Sequence, residues 1–188
     1  MSKIENNPLF KGVSGKLGDV IVIRQSQRGI VMANKPRKAK TVTESQLARR
    51  STFQDASHYA LRQLAKPEAR ALYESRVNIY KNSAYLVAIS DYLSLPKVQL
   101  IDTESYTGAV GQSINVKATD DFQVTTVSVV IKSASGVELE RGQATLSIDL
   151  RDQWVYTTTA VNATLVGSTV TASATDLAGN TTSKVSTL

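Results

Sequence analysis

The fold of the C-terminal half is decided by the stretch Val124-Thr125-Thr126-Val127-Ser128-Val129-Val130-Ile131-Lys132. Val127, Val129 and Ile131 point to one face and the residues between them to the other, as in a β-strand that buries one side. Six further β-type runs flank this stretch: 98–101, 113–118, 144–149, 154–159, 169–174 and 181–187. Glycines lie in most of the turns between them. These runs predict an antiparallel β-sandwich over residues 98–188.

About seven short strands within ~90 residues is the pattern of an immunoglobulin-like sandwich. The final runs also carry a resemblance. Residues 170–183, VTASATDLAGNTTS, resemble the last hairpin of bacterial immunoglobulin-like repeat domains, and residues 118–122, ATDDF, extend the similarity. The resemblance covers residues 98–188. It implies a module of surface or secreted proteins, used there as a spacer or an adhesive unit.

The N-terminal half begins with a predicted β-hairpin. Two β-branched runs, 19–24 and 30–33, flank a short polar segment that contains Gly29. The first run is apolar on both faces, so another element has to cover it. We expect three helices to pack over this hairpin. Residues 1–97 are therefore predicted to form a hairpin-plus-helices module, and the whole chain an α+β fold of two modules.

Three helices are predicted before residue 97. Residues 43–46, TESQ, form a capping box that starts a helix running to about Ala65. Pro67 fits the first turn of a second helix, and Ser83 the cap of a third over residues 84–93. The predicted apolar positions of the first helix are Leu47, Phe53, Ala56, Ala60 and Leu64, and those of the second are Ala69, Leu72, Val77 and Tyr80.

Three segments of the N-terminal half carry a second resemblance. Residues 10–19, FKGVSGKLGD, together with residues 34–36 and 46–53, resemble the N-terminal region of a family of small uncharacterised bacterial proteins. This resemblance transfers no site residues. It implies a non-enzymatic protein associated with a particle or with the cell envelope.

Charge is divided unevenly along the 188 residues. Residues 1–97 carry 17 Lys and Arg against 7 Asp and Glu, and residues 98–188 carry 5 against 9. Such asymmetry indicates different partners for the two halves, or halves that attract each other. The predicted partner-binding residues are basic: Arg24, Arg28, Lys35, Arg37, Lys38, Lys40, Arg49 and Arg50.

Two kinds of partner fit this basic surface. An acidic protein surface, including this chain's own C-terminal half, is one of them. Nucleic acid is the other, bound non-specifically and with strong salt dependence. The basic stretch has no interleaved aromatic residues for base stacking and no evident reading helix, so the protein partner is favoured.

Four oxygen-bearing residues indicate a calcium site: Asp120, Asp121, Asp176 and Asn180. In an immunoglobulin-like topology their two loops lie at the same end of the module. Carboxylates on flexible loops suit Ca²⁺. The alternative is that Asp and Asn here stabilise turns by binding their own backbone.

No catalytic centre is predicted. The chain has no cysteine, which excludes disulfides, zinc-thiolate sites and cysteine nucleophiles. Gly12, Gly15 and Lys16 have the wrong spacing for a phosphate-binding loop and indicate a turn. His58 is the only histidine; it follows Asp55 by three residues, with no nucleophile and no oxyanion hole apparent beside them. We expect neither an enzyme nor a cofactor.

The aromatic residues allow two interpretations. Five tyrosines lie between Tyr59 and Tyr92 and form either a half-buried stripe or a binding surface. Trp154 is expected in the core of the sandwich.

Export is not expected from the sequence. No apolar run approaches the ~20 residues of a membrane span, and the N-terminus lacks the apolar core of a signal peptide. We therefore expect synthesis in the bacterial cytoplasm and release within, or as part of, a particle. The leading function is a structural or protein-binding component of a phage-like or contractile injection particle, or of the envelope. The alternatives are cargo carried by a contractile injection system and a non-specific DNA-binding protein with an immunoglobulin-like appendage.

Overall fold

The structure of this chain is a computed structural model that describes residues 2–4, 12–26, 29–35 and 41–188. The chain divides into two compact units, residues 1–51 and 52–188. The predicted module boundary at residues 97 and 98 lies inside the second unit, where it marks the change from helices to strands. The second helix, the third and most of the first therefore group with the C-terminal strands.

The first unit contains a four-stranded antiparallel sheet. Its strands are β1 (Ser2–Ile4), β2 (Gly15–Leu17), β3 (Ile21–Ser26) and β4 (Gly29–Asn34), in the order β1-β4-β3-β2. The predicted hairpin is confirmed as β3 and β4, in which Ile21 lies opposite Asn34 and Ser26 opposite Gly29. The sequence does not reveal β1 and β2, because three residues are too few to show a strand period.

Three helices follow: α1 (Glu44–Leu64), α2 (Pro67–Glu74) and α3 (Ala84–Leu93). The capping box is confirmed, since the Gln46 backbone N–H donates to Thr43 Oγ1 and the Thr43 N–H donates to Gln46 Oε1, each at 3.3 Å. The bounds predicted for α3 are also confirmed. Ser83 caps α3 by accepting the Leu86 N–H.

The predicted apolar faces of α1 and α2 are partly wrong. On α1, Leu47 and Phe53 are exposed, and burial begins at Ala56. On α2, the buried residue is Tyr73. This helix ends at Glu74, so the last two positions of its predicted stripe, 77 and 80, lie beyond the helix.

The helices pack on one end of the strands within the second unit. Their buried residues are Ala56, Tyr59, Ala60, Tyr73, Val87, Ala88 and Ile89, joined by Phe122 from a strand loop. Leu177 and Ala178, from the last hairpin loop, pack against the same cluster. The two loops that carry the predicted calcium ligands therefore lie at the same end, as expected. We call this the helical end.

Seven antiparallel strands form the rest of the second unit. They run in the order β11-β10-β7-β8-β9-β6-β5, and β11 contacts β5, so the sheet is nearly closed on itself. The strands are β5 (Lys97–Asp102), β6 (Ser113–Thr119), β7 (Val124–Lys132), β8 (Glu138–Leu146), β9 (Gln153–Thr157), β10 (Thr169–Asp176) and β11 (Thr181–Thr187). The α+β class is confirmed. A sandwich of two separate sheets is not, because β8 pairs with both β7 and β9.

The inner face of β7 is buried as its alternation predicts. Val127, Val129 and Ile131 lie opposite Ala174, Ala172 and Val170 of β10, and all six are fully buried. Trp154 is in the same core, as expected.

The predicted strand at residues 144–149 is wrong in its bounds. The observed β8 starts six residues earlier, at Glu138. Gly142 and three charged residues make this segment resemble a turn in the sequence. The glycine is required by packing, since a Cβ there would lie 2.6 Å from Cε2 of Tyr156.

Replacing Gly142 by alanine is expected to lower the free energy of unfolding by about 1–3 kcal/mol, because the added methyl group overlaps the Tyr156 ring. In a strand without this contact the same change would be stabilising, since glycine loses more conformational freedom on folding. Urea unfolding measures the difference. Gln143→Ala, at an exposed position of the same strand, is the control; equal stability of Gly142→Ala and the parent chain would contradict the packing argument.

Candidate partner-binding site

The first half of α1 is a surface helix. All residues from 44 to 55 are exposed, a length of about three turns. Leu47 exposes 55% and Phe53 52% of its surface. The segment continues into the second half of the 21-residue α1, which is anchored by packing from Ala56 onward. Its own apolar side chains are left uncovered.

Two predicted basic residues lie among these apolar side chains. Arg49 and Phe53 are four residues apart, and Leu47 and Arg50 are three apart, so each pair shares a helix face. Both arginines are exposed. An arginine beside an exposed aromatic or leucine side chain offers charge and apolar area together, and arginine and aromatic residues are enriched in protein interfaces.

The other predicted basic residues are placed only in part. Arg24 is exposed on β3. Lys35 follows β4 and donates to Asp19 Oδ1 at 2.6 Å, an exposed ion pair. Four further residues of the predicted set lie outside the described residues: Arg28, Arg37, Lys38 and Lys40.

The two observed units also differ in net charge. Residues 1–51 carry 11 Lys and Arg against 3 Asp and Glu, a net charge of +8. Residues 52–188 carry 11 against 13, a net charge of −2. The positive charge is thus concentrated in the 51 residues that contain the small sheet and the start of α1.

The predicted calcium ligands on the first loop are engaged within the protein. Asp120 Oδ2 accepts the N–H groups of Phe122 and Gln123 at 2.9 and 3.2 Å. Asp121 Oδ2 accepts from Lys81 Nζ, and from Ser90 Oγ at 2.8 Å. The hydrogen bond from Lys81 holds the pKa of Asp121 below its ordinary value.

The second loop of the predicted calcium site stabilises the joint between strands and helices. Asn180 donates its backbone N–H to Asp176 Oδ1 at 2.7 Å, and its side-chain amide donates to Asp176 Oδ2 at 2.8 Å. The same amide donates to the carbonyls of Tyr92 and Ser94 at the end of α3, at 3.1 and 3.2 Å. In the described part of the chain, no group of three or more His, Cys, Asp or Glu side chains is arranged to hold a metal ion. The calcium hypothesis gains no support from this geometry, whereas the turn alternative accounts for the Asp176 contacts.

Sequence analysis missed a buried polar cluster at the helical end. Asp91 Oδ2 accepts from Tyr73 Oη at 2.7 Å and from Tyr59 Oη at 3.3 Å, and the two hydroxyls are 2.9 Å apart. Burial raises the pKa of Asp91 to about 6 and that of Tyr59 to about 12. The signal is present in the sequence, because Asp91 follows Val87 by four residues and so lies on the apolar face of α3.

A cleft of about 430 Å³ lies beside this cluster. Phe122 and Trp154 contribute its aromatic walls, and the Arg76 guanidinium carbon is 5.6 Å from the centre of the Phe122 ring. Its charged lining has both signs: Arg76, Arg151, Asp120, Asp121 and Asp152. Because positive and negative side chains both line the cleft, it favours neither an anionic nor a cationic ligand.

The remaining candidate residues occupy ordinary structural positions. Gly12 and Gly15 have φ values of 84° and 131°, and β2 begins at Gly15, so the segment is a turn followed by a strand. His58 is exposed on α1. Tyr59 and Tyr73 are buried, and Tyr85 and Tyr92 are half-buried, as the stripe predicts. Tyr80 is exposed beyond the end of α2, so the predicted stripe is confirmed only in part.

Comparison with known proteins adds little. No family model and no curated protein matches this chain. Among solved structures it is similar to one described as "Crystal structure of tetra-tandem repeat in extending region of large adhesion protein", at 21% identity and a TM-score of 0.32, over 50% of this chain and 22% of that chain. A likeness at this level assigns neither a fold nor a function. Within the described ranges, no helix has the length and apolar character to cross a membrane.

Proposed function

We propose that this chain is a non-enzymatic structural or protein-binding protein, which docks onto an acidic partner protein through its basic first unit and the start of α1. The observation that carries the proposal is the exposed half-helix in which Leu47 and Phe53 flank two arginines, at positions 49 and 50. Burying the apolar side chains supplies affinity, while the arginines select an acidic surface and speed the encounter.

Nucleic acid is the competing partner for the same surface. Phosphates would engage the arginines but would leave Leu47 exposed, because a duplex backbone offers it no apolar partner. The mixed apolar and basic character of the half-helix therefore favours a protein.

Two finer assignments belong to this proposal. Residues 98–188 are proposed to be an immunoglobulin-like module, with the quoted sequence resemblance as support. The whole chain is proposed to be a component of a phage-like or contractile injection particle or of the envelope, with delivered cargo as the alternative. Co-purification of the native protein with sheath, tube or envelope fractions tests the second assignment, and absence from every such fraction would overturn it.

Reversing both arginine charges, in Arg49→Glu/Arg50→Glu, is expected to weaken binding of the natural partner at least ~10-fold. Leu47→Ala/Phe53→Ala is expected to do the same while leaving the net charge unchanged. The assay compares recovery of one partner protein from nuclease-treated cell extract on the immobilised chain and on each variant.

The matched controls for this experiment lie further along α1. Arg62→Glu and Leu61→Ala change exposed residues of the same types in its last turns and should retain full binding. A 20-bp DNA duplex at 150 mM salt serves as the second probe. Retention of DNA that Arg49→Glu/Arg50→Glu abolishes, with Leu47→Ala/Phe53→Ala behaving as the parent, would replace the protein partner by nucleic acid.

A further inference from the structure

The cleft of about 430 Å³ lies within the second unit, at the helical end. The loop between β6 and β7 and the loop between β8 and β9 supply most of its lining, and Arg76, which follows α2, completes it. Its volume falls in the range of sites that enclose small molecules. A ligand for this cleft has to match walls that are partly aromatic and partly charged.

Several polar side chains of the cleft remain available to a ligand. Among the described residues, the Arg76 guanidinium has no hydrogen-bond or ion-pair partner, and its contact is with the Phe122 ring. The Gln123 side-chain amide likewise has no such partner in this part of the chain. Arg151 and Asp152 pair with each other at 3.6 Å, but the Arg151 side chain is 90% exposed, so this ion pair is weak. The cleft therefore offers N–H donors and a carboxylate acceptor.

Positive and negative charge balance around the cleft. Two arginines and three aspartates line it, and Lys81 beside it pairs with Asp121. These three basic and three acidic groups leave no net charge. A ligand with a net charge of either sign therefore meets repulsion as well as attraction, whereas a neutral polar ligand meets no repulsion.

We propose that the cleft binds a neutral carbohydrate, of the size of a monosaccharide or disaccharide. A hydroxyl group both donates and accepts hydrogen bonds, so it can pair with a guanidinium and with a carboxylate alike. Neighbouring hydroxyls on a sugar ring lie close enough for one guanidinium or one carboxylate to bind two of them, in the bidentate manner that these planar groups favour. Arg76 and Asp152 supply one planar group of each kind.

The aromatic walls fit the apolar side of a sugar. Phe122 and Trp154 expose only 7% and 8% of their surfaces, so packing fixes the position of both rings. The C–H groups on one face of a sugar ring carry a small positive charge and are attracted to the negative face of an aromatic ring. Leu146 and Leu150, which also line the cleft, are 57% and 53% exposed and add apolar surface.

A peptide is the competing ligand. Extended peptides bind mainly through backbone hydrogen bonds to an open strand edge. Two strands end at the cleft, β6 and β9, and neither has an open edge: β6 lies between β5 and β9, and β9 lies between β6 and β8. The available polar groups are instead planar side chains. Asp152 is also fixed in place, since its carbonyl accepts the Ala118 N–H at 3.0 Å and its backbone has a φ of 61°. These features favour hydroxyl groups over a peptide backbone.

Arrays of neutral, sialylated and sulfated glycans and of short peptides test this proposal, with the full chain displayed on streptavidin so that weak binding is detected. We expect binding to a set of neutral glycans. Calorimetry on the untagged chain then measures the affinity for one of the bound glycans. Trp154 is the only tryptophan in the sequence, so a saturable change in its fluorescence reports that the glycan occupies this cleft.

Two variants with matched controls locate the site. Arg76→Gln should weaken glycan binding at least ~10-fold and Asp152→Asn at least ~5-fold, because each loses a charged planar group. An anionic ligand would instead bind Asp152→Asn more tightly. The controls are Arg70→Gln, on α2, and Asp149→Asn, in the same loop as Asp152; both positions are exposed and outside the lining, so these variants should bind as the parent does.

Three results would overturn the carbohydrate proposal: binding to no glycan, binding only to charged glycans or to peptides, and full affinity in both cleft variants. Arg49→Glu/Arg50→Glu, which tests the proposed function, should bind the glycan as the parent does. Failure of glycan binding therefore leaves docking through α1 untouched, and failure of docking leaves the cleft untouched.

Discussion

Replacing Glu140 by alanine is expected to lower the free energy of unfolding by about 2–4 kcal/mol. Glu140 lies on β8 and is buried. Its Oε2 accepts from Tyr156 Oη at 3.0 Å, from the N–H and hydroxyl of Thr159 at 2.7 and 2.9 Å, and from the Ala160 N–H at 3.2 Å. Truncation leaves the buried Tyr156 hydroxyl without an acceptor, which costs about 1–3 kcal/mol, and removes the acceptor of the part-buried Thr159 and Ala160 groups, which adds to that cost.

The same strand supplies a matched control for this prediction. Glu138 is exposed and forms an ion pair with Arg141 at 2.9 Å. Glu138→Ala should leave the urea midpoint of unfolding nearly unchanged, because exposed ion pairs contribute little. Glu140→Gln should fall between the two, because its amide oxygen keeps an acceptor while its NH₂ group occupies the buried, unpartnered Oε1 position. Urea unfolding of the three variants measures the order; equal effects of Glu138→Ala and Glu140→Ala would contradict it.

Glu140 also shows where sequence reasoning reaches its limit. Strands with a clear alternation are predictable: β7 and β11 have their predicted bounds. β8 is not, because three charged residues and Gly142 look like a solvent-exposed turn. The reasons for a buried glutamate and a strand glycine lie on β9 and in the loop after it, where Tyr156 and Thr159 meet them. The alternation of apolar and polar residues along one strand carries no information about its contacts with other strands and loops.

The candidate site likewise has features that local sequence predicts and features that depend on distant contacts. Caps are local, so the start of α1 and the whole of α3 can be predicted from residues three apart. The exposure of Leu47 and Phe53 cannot be predicted in this way, because their spacing fits a buried helix face. Which turns of α1 are buried depends on how much of the helix packs against the rest of the protein. The acidic loops are predicted at the correct end of the strands. Their partners are not, because Lys81, Ser90 and the carbonyls at the end of α3 are distant from them in sequence.

The second large prediction concerns the buried carboxyl of Asp91: the free energy of unfolding should fall as the pH rises from 4 to 7. Burial raises its folded-state pKa from 3.8 to about 6, against the opposing hydrogen bond from Tyr73 and with the negative charges of Asp176 and Asp120 nearby. Below pH 3.8 the group is protonated in both states, and its contribution to stability is complete. Between pH 3.8 and about pH 6 the folded state binds this proton more tightly than the unfolded state does. The contribution of Asp91 to the free energy of unfolding therefore falls by about 3 kcal/mol over this range and stays constant at higher pH.

Asp91→Asn is expected to remove this slope, because an amide does not titrate. The absolute stability of the variant at pH 7 is not the readout, since its amide would bring an NH₂ group to the buried position of Oδ1, which has no partner. The readout is the change in unfolding free energy between pH 4 and pH 7, measured by urea titration for the parent and the variant.

Two other carboxyl groups, Asp121 and Glu138, act in the opposite direction. Asp121 and Glu138 have lowered pKa values, because each accepts a hydrogen bond from a basic side chain, so their contributions are lost only as the pH falls. Asp55→Asn, at an exposed position on α1, should keep the parental slope. The same slope in Asp91→Asn as in the parent would show that Asp91 is charged in the folded protein throughout, with the Tyr59 and Tyr73 hydroxyls compensating fully for its burial.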